Sequence, residues 1–573
     1  MATVEYLDLK NSAEVCGIVT ENAKGFPITL TEELVENIAK AFCVWLISHT
    51  GKVKVNVALG YDGRPSSPSL CEAAVKGITA TGHDAVVTDI SATPIMQALL
   101  QDDAWKETYP CDGALMFTTD AAEGYYNGLN FFYVGGKLSV EHVRSILDIA
   151  TTYRYNEPSQ CGKRTEVAYL DNYAEGLLSL IRLETGDETP LLNKKIVIHA
   201  NNDMGNFFAE KVLFPLGADI GGAEFVKPAE GALAYFPCDY TAEDIEALSD
   251  AIKAMNADMG IFFSGSANNI CIVDQAGNPF LGNRFIALIS AIYLSEKEGT
   301  IVTDSITSNG LTKFIEARGG IQHRYMCGMQ NIVEAAIRLN RIDEYSPLAI
   351  DTNSKAAMLA NDFREDGLYT IAQVLIAFVK ASKNGQALSD LVADLELSKE
   401  ALAVEIPFVD PNGTGFVNGK TLHEFYNYAS RTPYITVEEE NYEGYRVNYD
   451  EKHGNGWVLL YANQNAMLSI HVESDSEHGA IKMAKDVYYF LKKCPYVDVA
   501  PLKDAIDAER ARLIANIRKD FYSDAAYLAF IFGEKTIVQD EDIPQAVETA
   551  EPVEETAPSA TAEEITTAET AEN

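Results

Sequence analysis

The 573-residue sequence predicts an α/β protein: three consecutive α/β domains with mixed sheets, a smaller α+β domain, and a disordered acidic C-terminal tail. Three observations support this fold class. A unit of strand, polar turn, helix and Gly-rich return occurs three times, four short strands follow one another in the last quarter, and the terminal segment consists largely of Ala, Thr, Glu and Pro. With 47% hydrophobic residues, a chain of this length can bury several cores.

The first copy of the repeated unit follows a predicted helix. Residues 29–32 have the pattern of a capping box, which marks a helix start. The alternating strand at 53–57 then ends at a polar turn, residues 60–64, and a helix from about Ser67 leads to a second strand at 85–87. This order is typical of one half of an α/β domain.

Two further copies have their strands at 196–199 and 300–303. In each copy a polar turn, a helix and a Gly-rich return follow in the same order. Because short buried strands that alternate with helices build parallel or mixed sheets, the three copies predict α/β domains at residues 1–160, 161–295 and 296–405. Ligands of such sheets gather at the carboxyl ends of the strands.

The last quarter has a different pattern. Its four predicted strands lie at 434–437, 445–448, 457–460 and 468–472, and a helix with one apolar face follows them. We therefore predict an α+β domain with C-terminal helices at residues 406–538. The remaining residues, 539–573, contain eleven carboxylates and no Lys or Arg. They cannot bury enough apolar surface to offset their ordering entropy, so we expect a disordered, solubilising tail.

The formal net charge of −39 argues against nucleic acid and anionic membranes as partners. The opening residues lack an apolar segment of signal-peptide length, and no later run reaches the ~18 apolar residues of a membrane helix. We therefore expect a cytoplasmic protein. The nine scattered cysteines form no Cys-x-x-Cys pair, which favours reduced thiols.

One stretch has the frame of a reactive loop. The apolar run at 114–117 breaks into a polar loop, and apolar residues resume at Leu129. This frame resembles the phosphoserine loop of the α-D-phosphohexomutases (phosphomannomutase and phosphoglucomutase), whose T-A-S-H and N-G-x-x-F-F elements fall on residues 118–121 and 127–132. Asp120 stands at the position of the phosphoserine.

The resemblance extends from about Leu7 to about Leu491, and it implies four domains around a central cleft. It also implies carbohydrate metabolism, a phosphoserine donor, a Mg²⁺ ion held by three aspartates, a general acid and base, and a cluster that grips the substrate phosphate. Each of these requirements has a corresponding position in this sequence.

The metal loop of the family, D-x-D-x-D-R, falls on residues 264–269. Ser264, Ser266 and Asn268 stand at the three aspartate positions. Neutral hydroxyl and amide oxygens supply no charge to offset the dehydration of Mg²⁺, which that ion resists. We therefore predict no metal site and no cofactor, although the family uses Mg²⁺.

The other positions of the family pattern are also changed. Gln330, at the general acid/base position, cannot exchange a proton near neutral pH. The sugar loop, E-x-S-G-H, falls on residues 351–355, which makes Asp351, Asn353 and Lys355 candidates for binding sugar hydroxyls. The phosphate loop of the last domain leaves Tyr461, Asn463 and Asn465 as candidate binding residues, without a cation to pair with phosphate.

Further positions are altered or carry a structural interpretation. The arginine of an N-terminal D-I-R-G pattern falls on Cys16, two residues after Glu14. Asp62 and Arg64 remain, but an ion pair across a turn explains them. The histidines show no ligand spacing.

Three hypotheses remain open. The chain is a phosphohexomutase-like pseudoenzyme with a binding, scaffolding or regulatory role, whose partner is an active mutase relative. Alternatively, it is an active hexose-phosphate mutase with an atypical site centred on Asp120, since carboxylates can accept a phosphoryl group. In the third hypothesis, the cleft binds a small polyhydroxy ligand without phosphate.

Overall fold

The computed structural model describes residues 10–11, 13–21, 25–119, 124–134, 136–155, 160–199, 203–220, 241–409, 417–463 and 467–523. The chain divides into two compact units, Met1–Ala505 and Ile506–Asn573. The predicted fold class is confirmed, because three mixed α/β sheets precede a fourth, antiparallel sheet with helices. The predicted tail, residues 539–573, lies outside the described residues.

The first domain is built on an eight-stranded sheet. Its strands and helices are β1 (Lys10–Asn11), β2 (Glu14–Ile18), α1 (Glu32–Thr50), β3 (Asn56–Tyr61), α2 (Ser67–Ala80), β4 (Asp84–Ile90), α3 (Thr93–Gln101), α4 (Asp103–Thr108), β5 (Gly113–Phe117), β6 (Tyr126–Tyr133), β7 (Gly136–Lys137), α5 (Val140–Thr152) and β8 (Arg164–Glu166). The strand order is β1-β2-β6-β5-β3-β4-β8, and β7 pairs with β6. Helix α1 has Thr31 as its N-cap, two residues after the Thr29 that the predicted capping box would use, and its cap is simpler than a capping box. The Thr31 hydroxyl accepts the Leu34 N–H at 3.3 Å, and Leu34 has no side-chain acceptor to return the bond.

The second domain has a four-stranded sheet in the order β12-β11-β10-β9. Its elements are α6 (Leu170–Thr185), β9 (Ile196–His199), α7 (Asp203–Phe208) with a π-helical continuation (Ala209–Leu213), α8 (Ala242–Met255), β10 (Met259–Phe263), β11 (Ile270–Asp274), β12 (Pro279–Phe280) and α9 (Asn283–Leu294). β9 and β10 are parallel, whereas β10 and β11 form a hairpin in which Phe263 pairs with Ile270. The former metal loop, residues 264–269, is therefore the tip of this hairpin.

The third domain has the sheet order β14-β13-β15-β16. Its elements are β13 (Thr300–Asp304), α10 (Asn309–Glu316), β14 (Ile321–Tyr325), α11 (Met329–Arg341), β15 (Leu348–Ile350), β16 (Ala356–Met358), a 3₁₀ turn (Leu359–Asn361), α12 (Gly367–Lys383) and a second 3₁₀ turn (Leu388–Val392). β13 runs parallel to both β14 and β15. The residues that follow β13 and β15 therefore meet at one edge of the sheet.

The fourth domain has a five-stranded antiparallel sheet in the order β17-β21-β20-β19-β18. Its elements are β17 (Glu400–Pro407), α13 (Val417–Arg431), β18 (Ile435–Val437), β19 (Gly444–Tyr449), β20 (Gly456–Ala462), β21 (Met467–Ser474), α14 (Gly479–Leu491) and α15 (Ala500–Ser523). The four predicted strands are present. A fifth, β17, pairs with β21 over its whole length and crosses the predicted boundary at 405/406. Strand β8 likewise pairs with β4 of the first sheet, although it follows the predicted boundary at 160/161. The domain boundaries otherwise remain predictions. In the second compact unit, the described residues 506–523 are helical.

One buried apolar cluster continues through the first three domains. It includes Met96 of α3, Leu177 of α6, Phe263 of β10 and Leu375 of α12. Because these side chains pack in one core, the loops at the strand ends are held at fixed distances from one another. Within the described ranges, no helix combines the length and apolarity needed to span a bilayer.

Candidate functional site

Two aspartates meet at the carboxyl edge of the third sheet. Asp304 ends β13 and Asp351 follows β15, and these strands are parallel neighbours. Both side chains are buried. The Oδ2 atom of Asp304 accepts the Thr352 N–H at 2.9 Å and the Thr352 hydroxyl at 2.7 Å. Its Oδ1 atom is buried without a hydrogen-bond partner in the described part of the chain.

Burial disfavours the charged form of both carboxylates. It raises the pKa of Asp304 to about 6, and the Glu443 carboxylate contributes to the same shift. Burial also raises the pKa of Asp351 to about 7, with the neighbouring Asp304 charge as the second cause. Asp351 accepts the backbone N–H groups of Asn353 and Lys355, each at 3.0 Å. Its carboxylate thus shapes the sugar loop that the sequence predicts.

The sugar loop differs from the family pattern in its backbone as well. Ser354 stands where the family has glycine, and it adopts a φ of 61°. Left-handed backbone costs a non-glycine residue on the order of 1–3 kcal/mol. Asn353 is exposed and Lys355 is half-buried, so these two candidates have unequal access to solvent.

A carboxylate of the fourth domain lies against this edge. Glu443 accepts the Cys327 N–H at 3.0 Å and is also hydrogen-bonded to the Ser305 hydroxyl. Cys327 immediately precedes the glycine cap of α11, where exposed N–H groups and the helix dipole favour an anion. The chain's own glutamate therefore lies beside the start of α11, where the helix dipole favours an anion. Burial and the charge of Glu443 raise the pKa of the Cys327 thiol.

Two arginines at this boundary are engaged by protein groups. Arg446 of β19 donates to Glu438 at 2.9 Å, to the Ser305 carbonyl at 2.9 Å and to Asn309 Oδ1 at 2.9 Å. Arg324 of β14 donates to the Thr307 hydroxyl at 3.1 Å and to the Ser308 carbonyl at 3.2 Å. Arg446 connects the fourth domain to the third, and Arg324 Nη1 lies 3.8 Å from Glu438 Oε2 of the fourth domain, so both guanidinium groups are engaged by protein atoms.

The former phosphate loop of the fourth domain is hydrogen-bonded to a carboxylate as well. Asn463 Nδ2 donates to Glu405 Oε1 at 2.6 Å, and the Ser469 hydroxyl donates to the same oxygen at 3.3 Å. Tyr461 stacks on His471 with 5.8 Å between ring centroids. Burial raises the pKa of Tyr461, and the adjacent Cys327 adds to the shift. Asn465 lies outside the described residues.

The former metal loop is closed by its own hydrogen bonds. Ser264 Oγ lies 3.3 Å from Ser266 Oγ and accepts the Asn269 N–H at 3.1 Å. Asn268 is buried, and its Oδ1 atom has no hydrogen-bond partner among the residues described. The loop packs against the start of α12, where the Gly367 N–H donates to the Ala267 carbonyl at 3.0 Å.

Gln330 and Asn268 line one groove. Gln330 lies in the first turn of α11, is exposed, and donates to Glu334 Oε1 at 3.2 Å. The groove runs between α3 and α11 and encloses a cavity of about 220 Å³. The positions of two predicted site residues, in separate domains, are thus neighbours in space.

Asp120 lies outside the described residues, but the ends of its loop are described. Arg64 donates to the Thr119 carbonyl at 3.0 Å and to the Tyr126 carbonyl at 3.2 Å, and it pairs with Asp62 at 3.1 Å. The Asp62–Arg64 pair is the local ion pair that the sequence predicts, and Arg64 in addition ties the two ends of the loop together. Beside the loop, the buried Glu14 accepts the Thr119 hydroxyl at 3.2 Å.

Three carboxylates near these loops are absent from the sequence-based set. Asp304 could have been found, because it ends a predicted strand at the edge where ligands gather. Glu443 and Glu405 had no such signal, since each acts on a residue more than fifty positions away along the chain.

Three mixed α/β domains with a fourth antiparallel domain, and strand-end loops that converge across them, define the class of four-domain sugar-phosphate mutase folds. Two family models match the chain: Phosphoglucomutase/phosphomannomutase, alpha/beta/alpha domain I, over residues 15–157, and domain III of the same family over residues 281–397. The chain belongs to the α-D-phosphohexomutase family, which confirms the resemblance.

Individual relatives are distant in sequence. A phosphomannomutase/phosphoglucomutase of Pseudomonas putida is 24% identical over 436 residues, covering 75% of this chain and 86% of the relative. A phosphoglucomutase of Neisseria meningitidis serogroup B is 23% identical over 475 residues, covering 82% and 94%. The crystal structure of a phosphoglucomutase/phosphomannomutase family protein from Burkholderia thailandensis is 19% identical, with a TM-score of 0.67, and covers 86% of this chain and 98% of its own. At the family level the chain is phosphoglucomutase/phosphomannomutase-like, and its setting is carbohydrate metabolism.

The prediction of no cofactor is wrong. The relatives are phosphoglucomutases and phosphomannomutases, which use Mg²⁺, so Mg²⁺ is the cofactor that membership implies.

How well that loop fits Mg²⁺ follows from its donors. Ser264 Oγ, Ser266 Oγ and Asn268 Oδ1 are hard oxygen atoms of the kind that Mg²⁺ accepts, and Asn268 Oδ1 is without a partner within the described ranges. None of them carries charge, whereas Mg²⁺ in proteins is held through carboxylates and substrate phosphates. These three side chains by themselves do not fit the ion, and we assign no chemical step to it.

Proposed function

We propose that this chain retains the phosphohexomutase fold without phosphoryl transfer and serves as a binding or regulatory member of the family. The observation that carries the proposal is the position of Glu443. Its carboxylate accepts the Cys327 N–H at the start of α11, where an anionic ligand would otherwise bind. A substrate phosphate would have to displace a charge that belongs to the protein.

Two further carboxylates support the proposal. Glu14 is buried beside the loop that carries Asp120, and Glu405 accepts a hydrogen bond from Asn463 in the fourth domain. Two like charges 4 Å apart repel each other by about 4 kcal/mol at the effective dielectric constant of a partly buried site. A phosphorylated sugar therefore meets repulsion where a mutase supplies cations. Glu405 is exposed, so solvent screens its contribution most.

The alternative centred on Asp120 requires charge compensation. An aspartyl phosphate forms when a metal ion or a group of cations offsets the charge on the transferring phosphoryl group. The described flank of this loop offers Arg64, whose charge is paired with Asp62, and the carboxylate of Glu14, which has the opposite effect. The position of Glu14 thus favours the proposal over an active site at Asp120.

The test is a coupled mutase assay with the full-length chain, Mg²⁺ and the 1-phosphates of glucose and mannose, together with a hexose bisphosphate activator. The Pseudomonas putida relative serves as the positive control. We expect a rate at least about 10⁴-fold below the control, since the loss of general acid/base catalysis alone costs about 10²–10⁴. Turnover that depends on Mg²⁺ would refute the proposal.

Intact-mass measurement after incubation with the bisphosphate addresses Asp120 separately. We expect no added phosphate. A phosphorylated species that is lost in Asp120→Asn would establish the atypical active site.

Partner and location belong to the same proposal. We propose that the chain acts in the cytoplasm beside an active mutase relative, for which the retained fold and the reduced thiols are the support. Co-purification of an endogenous mutase with the tagged full-length chain from the soluble fraction would support this pairing. Recovery of the chain alone would contradict it.

A further inference from the structure

The groove between α3 and α11 has the chemistry of a ligand site. Three hydrogen-bonding residues, Thr93, Gln97 and Gln101, are spaced by four on α3 and line the groove together. That spacing places side chains on one face of a helix. The opposite face of α3, including Met96 and Leu99, is buried in the core. The polar stripe thus faces a cavity rather than open solvent.

Helix α11 provides the facing wall. Four of its residues lie on one helix face and line the same cavity: Gln330, Val333, Glu334 and Ile337. The wall alternates hydrogen-bonding and apolar side chains. A molecule that has both hydroxyl groups and an apolar face matches such a wall.

Other segments also line the groove. They contribute Lys137 of β7, Asn268 of the former metal loop, and Phe363 and Glu365 before α12. The glycine before Lys137 has a φ of 114°, and a Cβ added there would lie 3.7 Å from Gln97 Nε2. The groove therefore draws on the first, second and third domains.

The Oδ1 atom of Asn268 is a candidate acceptor for a hydrogen bond from a ligand. This atom is buried and accepts no hydrogen bond within the ranges that the structure describes, although Asn268 lines the cavity. A buried carbonyl oxygen without a donor costs free energy, and a ligand hydroxyl would relieve that cost.

The charges select the class of ligand. Glu334 and Glu365 disfavour a phosphate, while Lys137 disfavours a cation. Asp362, which also lines the groove, is paired with Arg364 at 3.5 Å. Amide groups at Gln97, Gln330 and Asn268 both donate and accept, as sugar hydroxyls do, whereas Gln101 Oε1 already accepts a hydrogen bond from the Arg364 guanidinium.

We infer that the α3–α11 groove binds an unphosphorylated sugar or a similar uncharged polyol. The inference rests on the proposed function, since it assigns a ligand to a protein that does not transfer phosphate.

The test is ligand-observed NMR and calorimetry on the full-length chain with D-glucose, D-mannose, N-acetyl-D-glucosamine and myo-inositol. Glucose 6-phosphate and mannose 6-phosphate serve as the charged counterparts. We expect at least one uncharged ligand to bind, and the phosphate to bind at least about tenfold more weakly than its parent hexose. No response to any of the four, or tighter binding of a hexose phosphate, would overturn the inference.

Variants locate the site. Gln97→Leu, on a half-buried helix face, is expected to weaken binding about tenfold, which corresponds to one hydrogen bond lost. Asn268→Leu is expected to do the same. Gln373→Leu, a half-buried glutamine on α12 that does not line this groove, is the matched control and should bind like the parent. Unchanged affinity in Gln97→Leu would place the ligand elsewhere.

The proposed function and the proposed sugar site can be refuted independently. Absence of sugar binding together with absence of mutase turnover refutes only the sugar site. Turnover of a hexose phosphate refutes the proposed function whatever the sugars do.

Discussion

At the scale of single residues, the buried pair of Asp304 and Asp351 is the most unusual feature of the third domain. Parallel strands bring both carboxylates to one sheet edge, where burial raises both pKa values into the range of 6 to 7. A carboxyl group with a raised pKa binds a proton in the folded state that it loses in the unfolded state. Its contribution to stability is therefore present at low pH and is lost as the pH rises.

The first prediction concerns Asp351→Asn. The ordinary pKa of the aspartate is 3.8, and the folded value is about 7. Between these values the folded chain binds more protons than the unfolded chain, so its free energy of unfolding falls with rising pH. The variant lacks this titration. Its stability relative to the parent should improve by about 2 kcal/mol between pH 5 and pH 8, measured by urea unfolding.

The control is Asp250→Asn, an exposed aspartate on α8. It should follow the parent across the same pH range. A difference between Asp351→Asn and the parent that does not vary with pH would contradict the assignment.

At the scale of elements, the start of α12 supports the hairpin tip that carries Asn268. Asp366 caps this helix by accepting the Tyr369 N–H at 2.9 Å, and the Tyr173 hydroxyl donates to both of its carboxylate oxygens. The next residue, Gly367, lies directly against the tip. A Cβ there would come within 2.5 Å of the Ala267 carbonyl oxygen. The glycine is therefore required by a close approach of two backbones.

The second prediction is that Gly367→Ala destabilises the chain by about 1–3 kcal/mol, because the added methyl group forces the hairpin tip away from the helix. Thermal unfolding measures the loss. Sugar binding in the α3–α11 groove should weaken in the same variant, since Asn268 belongs to the displaced tip.

Gly419→Ala on α13 is the comparison, because a Cβ at that helical position meets nothing within 4 Å. It should be neutral or slightly stabilising. Equal effects of the two substitutions would show that helix propensity, rather than the close approach, decides the outcome.

The arrangement of elements was accessible from the sequence to different degrees. Local patterns of apolar and polar residues were sufficient to predict four strands of the fourth domain, at residues 435–437, 444–449, 456–462 and 467–474. β17 was not, because its partner β21 lies about sixty residues downstream and two of its three exposed positions are alanines, which are depleted in strands. The position of each site loop could be predicted from its flanking strands. The carboxylates that accept hydrogen bonds from these loops could not be predicted, because they come from distant positions along the chain.

At the scale of the whole molecule, the third and fourth domains are joined by polar contacts. Glu443 and Arg446 reach from the fourth domain to the loop after β13, and Tyr442 packs on Tyr325 with 4.6 Å between ring centroids. These contacts join the loop after β13 and the end of β14 to the segment at the start of β19. They hold the fourth domain against the third without a ligand.

The third prediction is that Glu443→Ala weakens this junction. It removes a charged acceptor from the Cys327 N–H and the Ser305 hydroxyl, which is worth about 1–2 kcal/mol. Hydrogen exchange at residues 327–331 and 444–449 should become about 5–30-fold faster. Glu439→Gln, on the exposed turn nearby, should leave exchange unchanged. Unaltered exchange in Glu443→Ala would contradict the prediction, because it would show that the other contacts hold the third and fourth domains together without Glu443.

Under the proposed function, the carboxylates of Glu14, Glu405 and Glu443 also determine which metabolites the protein does not bind. Specificity is a difference between affinities, and built-in repulsion lowers the affinity for the wrong ligand. Cells hold many phosphorylated sugars that share one hexose scaffold. A mutase-like protein that does not bind their common phosphate group would respond to the concentration of free sugars even when many different sugar phosphates are present.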